Sequence, residues 1–286
     1  VPRWGFEALE ELCGDVEVPC VRYDAATSGK EWGALSQGGR APLREHLRRA
    51  RDPAPPDGAA CAPMLFDHAL ADVCPALLEQ LVVPRYFAVD YLRAIPAEER
   101  QGVWPSPARF PSLFVQPAGT KCGLHVDQAA THFYQALLAG RKRWRLFLQG
   151  EAHLLYPRGH GLLFEYDAFA PDLRRFPLAA SAAVAEAVLG PGDVLFVPQG
   201  VPHQILNEEP SIAISANYVP GHGLRAVLEE LSLLSQAGAR PEYSLLAEKL
   251  RAWAPAPGSE RPQDPGDLQW SEFDAASWLG RAAPGG

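Results

Sequence analysis

From about Cys61 the chain repeats one texture: short runs of apolar and β-branched residues, each closed by turn-forming residues. The runs are "SLFVQ", "KCGLHVD", "THFYQALL", "RKRWRLFLQ", "DVLFVP", "HQILN" and "SIAISANYV". Strands this short cannot bury enough surface singly. Many of them between Gly and Pro turns imply a sandwich or a barrel. "LGPGD" reads as a tight turn between two such strands. No internal repeat interrupts the pattern. The expected fold is therefore mainly β, with helices on its flanks.

The flanks differ in texture. Residues 1–60 mix types. "FEALEEL" predicts a short helix with Phe6, Leu9 and Leu12 on one face, and "VEVPCVRY" predicts a strand. "APLREHLRRAR" predicts a second helix through Leu43, Leu47 and Ala50. After Gly223 the period turns helical again. "LRAVLEELSLLSQ" lines up Leu224, Val227, Leu228, Leu231 and Leu234, and "EYSLLAEKLRAW" follows as a second helix. "APAPGSERPQDPGD" reads as a linker to a short amphipathic tail with Trp270, Phe273 and Trp278.

Charge narrows the function classes. With 26 basic and 34 acidic residues the net charge is -8. That argues against general nucleic-acid binding, which needs a positive footprint along the phosphates. No apolar run approaches the ~18 residues of a membrane span. The cysteines, Cys13, Cys20, Cys61, Cys74 and Cys122, are odd in number and form no CxxC. They fit neither a zinc finger nor a disulfide framework, so a reducing, intracellular compartment (cytoplasm, nucleus or both) is expected.

Chemistry concentrates in "GTKCGLHVDQ". His125 and Asp127 lie two apart, and residues i and i+2 of an extended segment share a face. One imidazole and one carboxylate need a third ligand. His203, in "FVPQGVPHQILN", is the candidate. Two histidines and a carboxylate on one face of an ion leave its other positions open, as in non-heme Fe(II) oxygenases. His46, His68, His132, His153, His160 and His222 lack a comparable context; His132 lies just beyond the HxD. In "GRKRWRLFLQG" alternation puts Lys142 on the apolar face with Trp144, Leu146 and Leu148. Such an ammonium either snorkels to water or meets an anion. In "SIAISANYV" the face with Ser215 and Asn217 is small and polar, suited to lining a cavity or to a solvent-facing edge.

These motifs carry a resemblance. "PMLFDHAL", "VPRYFAVDYL", "GLHVDQ", "LLAGRKRWRLF", "GDVLFVPQGVPHQILN" and "SIAISANYV" follow one another as in Jumonji-C (JmjC) domains. The branch most resembled is the small JmjC hydroxylases similar to the phosphatidylserine-receptor-like lysyl hydroxylase. The resemblance implies a double-stranded β-helix, of the jelly-roll or cupin type, over residues 61–222. Residues 1–60 then form a mixed α/β segment packed on the barrel, and residues 223–286 form C-terminal helices and a tail. It implies Fe(II) held by His125, Asp127 and His203, which act catalytically through the bound iron. It also implies 2-oxoglutarate as cosubstrate, with dioxygen. Lys142 would pair with the distal carboxylate, with Asn217 and Ser215 nearby. Cys122 stands where the family often has Thr, and Gln135 where it often has Asn. The implied reaction is 2-oxoglutarate-dependent hydroxylation of a side chain, or N-demethylation when the hydroxylated carbon is an N-methyl. The implied partner is a protein substrate, such as a basic segment drawn to an acidic surface. A homodimer through the C-terminal helices is a further expectation. A catalytically silent binding protein of the same fold, or a different metal-dependent cupin enzyme, are the competing readings.

Overall fold

The alternating runs form antiparallel strands in the computed structural model, which describes residues 4–27, 32–52, 63–104, 106–254 and 266–275. Along the chain come α1 (Phe6–Cys13), β1 (Glu17–Tyr23), β2 (Leu35–Pro42), α2 (Leu43–Arg51), β3 (Leu65–Ala69) and α3 (Leu70–Val73). Next are α4 (Pro75–Leu78), β4 (Val82–Val83), α5 (Arg85–Ala88) and β5 (Ser112–Gln116). The central strands are β6 (His132–Ala139), β7 (Lys142–Phe147), β8 (Pro157–Arg158), β9 (Leu163–Phe164), β10 (Val184–Leu189), β11 (Val194–Val197), β12 (His203–Asn207) and β13 (Ser211–Tyr218). The chain closes with α6 (Leu224–Gln236), α7 (Pro241–Trp253), β14 (Leu268–Gln269) and α8 (Trp270–Ala275). Two units emerge: one joins residues 1–74, 111–127 and 133–216, the other 75–110, 128–132 and 217–286.

The first unit is built on two sheets. The larger runs in the order β11-β6-β13-β5-β3, the smaller β10-β7-β12. Phe114, Phe133, Leu137, Val197 and Ala213 of the larger sheet pack with Trp144 and Leu189 of the smaller. The sheets thus stack face to face over a shared core. The chain changes sheet repeatedly: β6 to β7, β10 to β11, β11 to β12 and β12 to β13 all cross over. Such repeated crossing is the winding of a jelly roll, the fold expected from the sequence. Gly140 makes the β6–β7 crossover possible. It adopts φ +82, and a Cβ there would lie 2.0 Å from the carbonyl oxygen of Pro210.

The N-terminal elements pack on this unit, with Leu9, Leu43, Leu47 and Ala50 buried. Leu12 points outward, 49% exposed. The inward face of α1 runs through Leu9 and Cys13 instead, four residues apart and therefore stacked on one side of a helix. Cys13 is joined to Cys74 in a disulfide, with Cα atoms 5.5 Å apart. This corrects the expectation that the cysteines fit no disulfide. The partners are separated by 61 residues, and only the docking of α1 brings them together. Cys20 and Cys122 are free and buried. Cys61 and Trp278 lie outside the described residues.

In the second unit α6 buries Val227, Leu231 and Leu234, while α7 buries Tyr243, Leu246, Ala247 and Leu250, and the two helices pack together. Leu224 and Leu228, also expected on the apolar stripe, are half-buried. The C-terminal segment returns to residues 75–110: β14 pairs with β4, and Asp274 bridges Arg93 (2.7 Å) and Arg100 (2.8 Å). No helix among the described residues is long and apolar enough to cross a membrane.

Gly140→Ala is expected to destabilise the protein by more than about 2 kcal/mol, because it adds positive-φ strain to a backbone clash. Urea titration of the variant checks this. A change below about 0.5 kcal/mol, typical of a neutral surface site, would contradict the crossover geometry.

Candidate metal centre

The segment carrying the HxD motif runs beside β12 as single bridge pairs, not as a regular strand. Lys121 pairs with Leu206, and His125 pairs with His203 and with Leu163. Gly123 explains part of this. Its N–H donates to Gly33 O at 2.5 Å, and a Cβ on Gly123 would meet the Gly33 backbone at 3.0 Å. Side chains lash the segment down. Asn207 Nδ2 donates to Thr120 O and to Thr120 Oγ1, both at 2.9 Å. Gln204 Nε2 donates to Cys122 O at 2.9 Å and to Asp167 Oδ1 at 3.1 Å. Asp167 also accepts from Lys121 Nζ (2.5 Å) and Tyr23 OH (3.1 Å). Burial raises the Asp167 carboxyl, but the Lys121 ammonium and the other donors outweigh it and hold the group below its ordinary value.

His125 and His203 exchange backbone hydrogen bonds, His125 N to His203 O at 3.1 Å and His203 N to His125 O at 2.8 Å. Directly opposed residues of an antiparallel pair project to the same face, so the two rings sit 4.3 Å apart, centroid to centroid. Each Nδ1 lies 2.9 Å from a carbonyl oxygen, that of Gly123 for His125 and of Val201 for His203. A carbonyl only accepts, which places the proton on Nδ1 and leaves the Nε2 lone pair free. His203 Nε2 is 3.8 Å from Asp127 Oδ2, and the three ligand atoms all lie within 4.8 Å of one another. This is the one such group among the described residues.

The environment keeps both rings neutral. Burial pushes the His125 pKa down to about 4, reinforced by the neighbouring His203, and burial alone takes His203 to about 4. Neutral imidazole is the form that binds a metal. Packing fixes the rings as well: His203 stacks with Trp144 and Phe133, and His125 meets the edge of Trp32.

Lys142 does not snorkel. It is 1% exposed, at the start of β7. Its Nζ donates to Gln116 Oε1 and lies 5.8 Å from the Phe114 ring centroid. No carboxylate pairs with it among the described residues. Burial accordingly pushes its pKa down to about 7. Cys122 is 2% exposed, and burial pushes its thiol up to about 12, so it stays protonated 3.8 Å from His125 Nδ1. Gln135 and Ser215 are buried, and neither Gln135 Oε1 nor Ser215 Oγ has a hydrogen-bond partner among the described residues. Ser215 therefore lines the interior and not a solvent edge. Asn217 falls in the second unit, where its Nδ2 donates to Thr131 Oγ1 at 2.9 Å. His132 is in that unit too, its ring 5.7 Å from Tyr218 and 5.6 Å from His222, outside the His–Asp–His group.

The residues present fit both a metal and an acidic cosubstrate. Two neutral imidazoles and a carboxylate are a suitable donor set for a non-heme iron. A buried ammonium with no anion partner among the described residues suits a carboxylate-bearing ligand. Sequence reasoning missed Gln116, Asp167 and Trp32. Gln116 had a signal, since alternation in "SLFVQ" puts it on the same face as Phe114. Asp167 and Trp32 had none, because both act from irregular segments.

A family model described as a cupin-like domain matches residues 9–222, well over half of the chain. The chain belongs to this cupin-like family. Among its relatives, "Lysine-specific demethylase JMJ21" of Arabidopsis thaliana is 32% identical over 162 residues, 54% of this chain and 16% of its own length. "2-oxoglutarate and iron-dependent oxygenase JMJD4" of Danio rerio is 32% identical over 145 residues, 49% of this chain and 32% of its own. "Bifunctional arginine demethylase and lysyl-hydroxylase psr-1" of Caenorhabditis elegans is 28% identical over 174 residues, 57% and 42% of the two chains. The chain thus spans less than half the length of these relatives. The JmjC resemblance read from the motifs agrees with these names.

Lys142 has a measurable consequence for stability. Its folded pKa, about 7, lies below the ordinary 10.5. Below pH 7 both folded and unfolded chains carry the ammonium, and its burial cost is fully present. Between those values the unfolded chain binds more protons, so stability rises with pH. Lys142→Met is expected to stabilise the metal-free protein by about 1–4 kcal/mol at pH 6, with the gain shrinking towards pH 10. Denaturant midpoints across that range check it. A pH-independent difference would contradict a protonated, unpaired Lys142.

Proposed function

We propose that the protein is an Fe(II)- and 2-oxoglutarate-dependent dioxygenase that hydroxylates, or demethylates through hydroxylation, a side chain of a protein substrate. One observation carries the reading: the convergence of His125, Asp127 and His203, with the buried, anion-free Lys142 in the same unit. The names of the relatives agree with it, and they include lysine and arginine side chains as targets.

In this reading His125 Nε2, His203 Nε2 and an Asp127 oxygen would hold the metal. Iron and 2-oxoglutarate, when bound, supply activation of dioxygen coupled to decarboxylation. The chain does the rest. The Gly123 and Val201 carbonyls keep each imidazole in its ligating tautomer. Lys142 binds the distal carboxylate of the cosubstrate, and that new charge favours the ammonium form. The Ser215 hydroxyl donates to the cosubstrate, and Gln135 and Cys122 line the same interior. Burial of the rings and of Lys142 excludes water from the reacting centre. With a net charge of -8 the surface draws a basic protein segment. A homodimer through the C-terminal helices belongs to the same proposal, where α6 leaves Leu233 66% exposed. So does an intracellular setting, which rests on the names of the relatives and no longer on the cysteines, since Cys13 and Cys74 are bonded.

Succinate formation from 2-oxoglutarate with added Fe(II), without a prime substrate, tests the reading. The wild type is expected to turn over, and His125→Ala and Asp127→Ala to abolish turnover with the fold retained. Lys142→Ala is expected to raise the KM for 2-oxoglutarate at least about 10-fold through loss of a charge-assisted contact. A wild type that forms no succinate, or full turnover in either ligand variant, would sink it. No succinate is also what a silent binding protein or a different cupin enzyme would give.

A further inference from the structure

Lys142 is the one buried lysine in the described protein, and what it touches is unusual. Its Nζ hydrogen-bonds to a neutral amide oxygen, Gln116 Oε1. Gln116 is itself 4% exposed, at the end of β5, where it pairs with Ser211 of β13. The other end of the amide is fixed: Gln116 Nε2 donates to Met64 Sδ at 3.3 Å. The reverse orientation would point an NH2 at an ammonium, two donors facing each other. The carbonyl oxygen is therefore held towards Lys142 by a thioether that cannot itself donate.

We propose that Gln116 is the positioning residue of the cosubstrate pocket: it orients the Lys142 ammonium without neutralising it. This rests on the reading of the site as one that binds 2-oxoglutarate. An ammonium has three donors. Gln116 takes one and so fixes the direction of the other two, which meet the distal carboxylate. An acidic residue at this position would satisfy the buried charge better in the empty protein. It would also consume that charge, because two unit charges in contact in a protein interior attract strongly, and it would repel the incoming carboxylate. A hydrocarbon side chain would leave the ammonium without an oriented acceptor. The amide is the remaining choice, an acceptor with no charge.

The test is calorimetric titration of 2-oxoglutarate into protein loaded with Mn(II), which binds the site without turnover. Wild type, Gln116→Leu and Gln116→Glu are compared, each first titrated with Mn(II) alone. Gln116→Glu is expected to weaken 2-oxoglutarate binding at least about 100-fold, the scale on which a buried charge pair is gained or lost. Gln116→Leu is expected to weaken it about 10-fold, as one oriented hydrogen bond disappears. Mn(II) affinity is expected to stay within about 2-fold in all three, and Lys142→Met to cause no further loss in the Gln116→Glu background, as for residues acting as one unit. Equal 2-oxoglutarate binding by wild type and Gln116→Glu would overturn this inference alone. A parallel loss of Mn(II) binding in the Gln116 variants would also overturn it, showing a structural role. A wild type that binds Mn(II) but no 2-oxoglutarate would overturn the reading of the site, and this inference with it.

Discussion

Two backbone hydrogen bonds, exchanged between His125 and His203 at 3.1 and 2.8 Å, are the constraint on which the site depends. They join residues 78 positions apart in sequence (203 − 125) into one opposed pair. In that geometry the side chains have no choice but to share a face. Neither imidazole is held by its neighbours in sequence alone. His203 opens β12 and is carried by the pairing of β12 with β7, while His125 sits on an irregular segment that Gln204, Asn207 and Asp167 tie in place. If β12 slipped by one residue, His203 would turn to the other face and the cluster would be lost.

The same winding sets the electrostatics. Because the chain crosses between sheets at Gly140, β7 begins with a lysine that is already inside the sandwich. Burial there is costly to the charge, and among the described residues its partners are an amide oxygen and an aromatic ring. Burial is also what keeps both imidazoles neutral and the Cys122 thiol protonated. One physical cause thus produces free ligand lone pairs and an ammonium in need of an anion. A hydrophobic residue in place of Lys142 would serve stability better. The cost is consistent with a functional role for the charge.

Much of this was legible in the sequence, for identifiable reasons. The short β-like runs "SLFVQ", "RKRWRLF" and "SIAISANY" become β5, β7 and β13; β5 and β13 are buried on both faces, and only the first half of β7 alternates in burial. The period put Lys142 on a face with Trp144 and Ser215 on a face with Asn217, and the fold decided that both side chains are buried. The HxD spacing pointed to convergence, and His125 and Asp127 do converge, although the segment between Thr120 and His125 is bridged and not a regular strand. What stayed hidden depends on tertiary contact. The Cys13–Cys74 bond needs α1 docked before the two cysteines meet. Leu12 faced outward because Cys13 takes the inward position at the end of α1. Asp167, which gathers Lys121, Tyr23 and Gln204, sits in a loop whose local sequence carries no period.

The central claim is that His125, Asp127 and His203 bind one divalent metal. Anomalous diffraction from crystals soaked with Mn(II) tests it most directly. The account predicts a single strong peak within about 2.0–2.3 Å of both Nε2 atoms and of an Asp127 carboxylate oxygen, as expected for such ligands. A peak elsewhere, or full occupancy that survives His203→Ala unchanged, would contradict it.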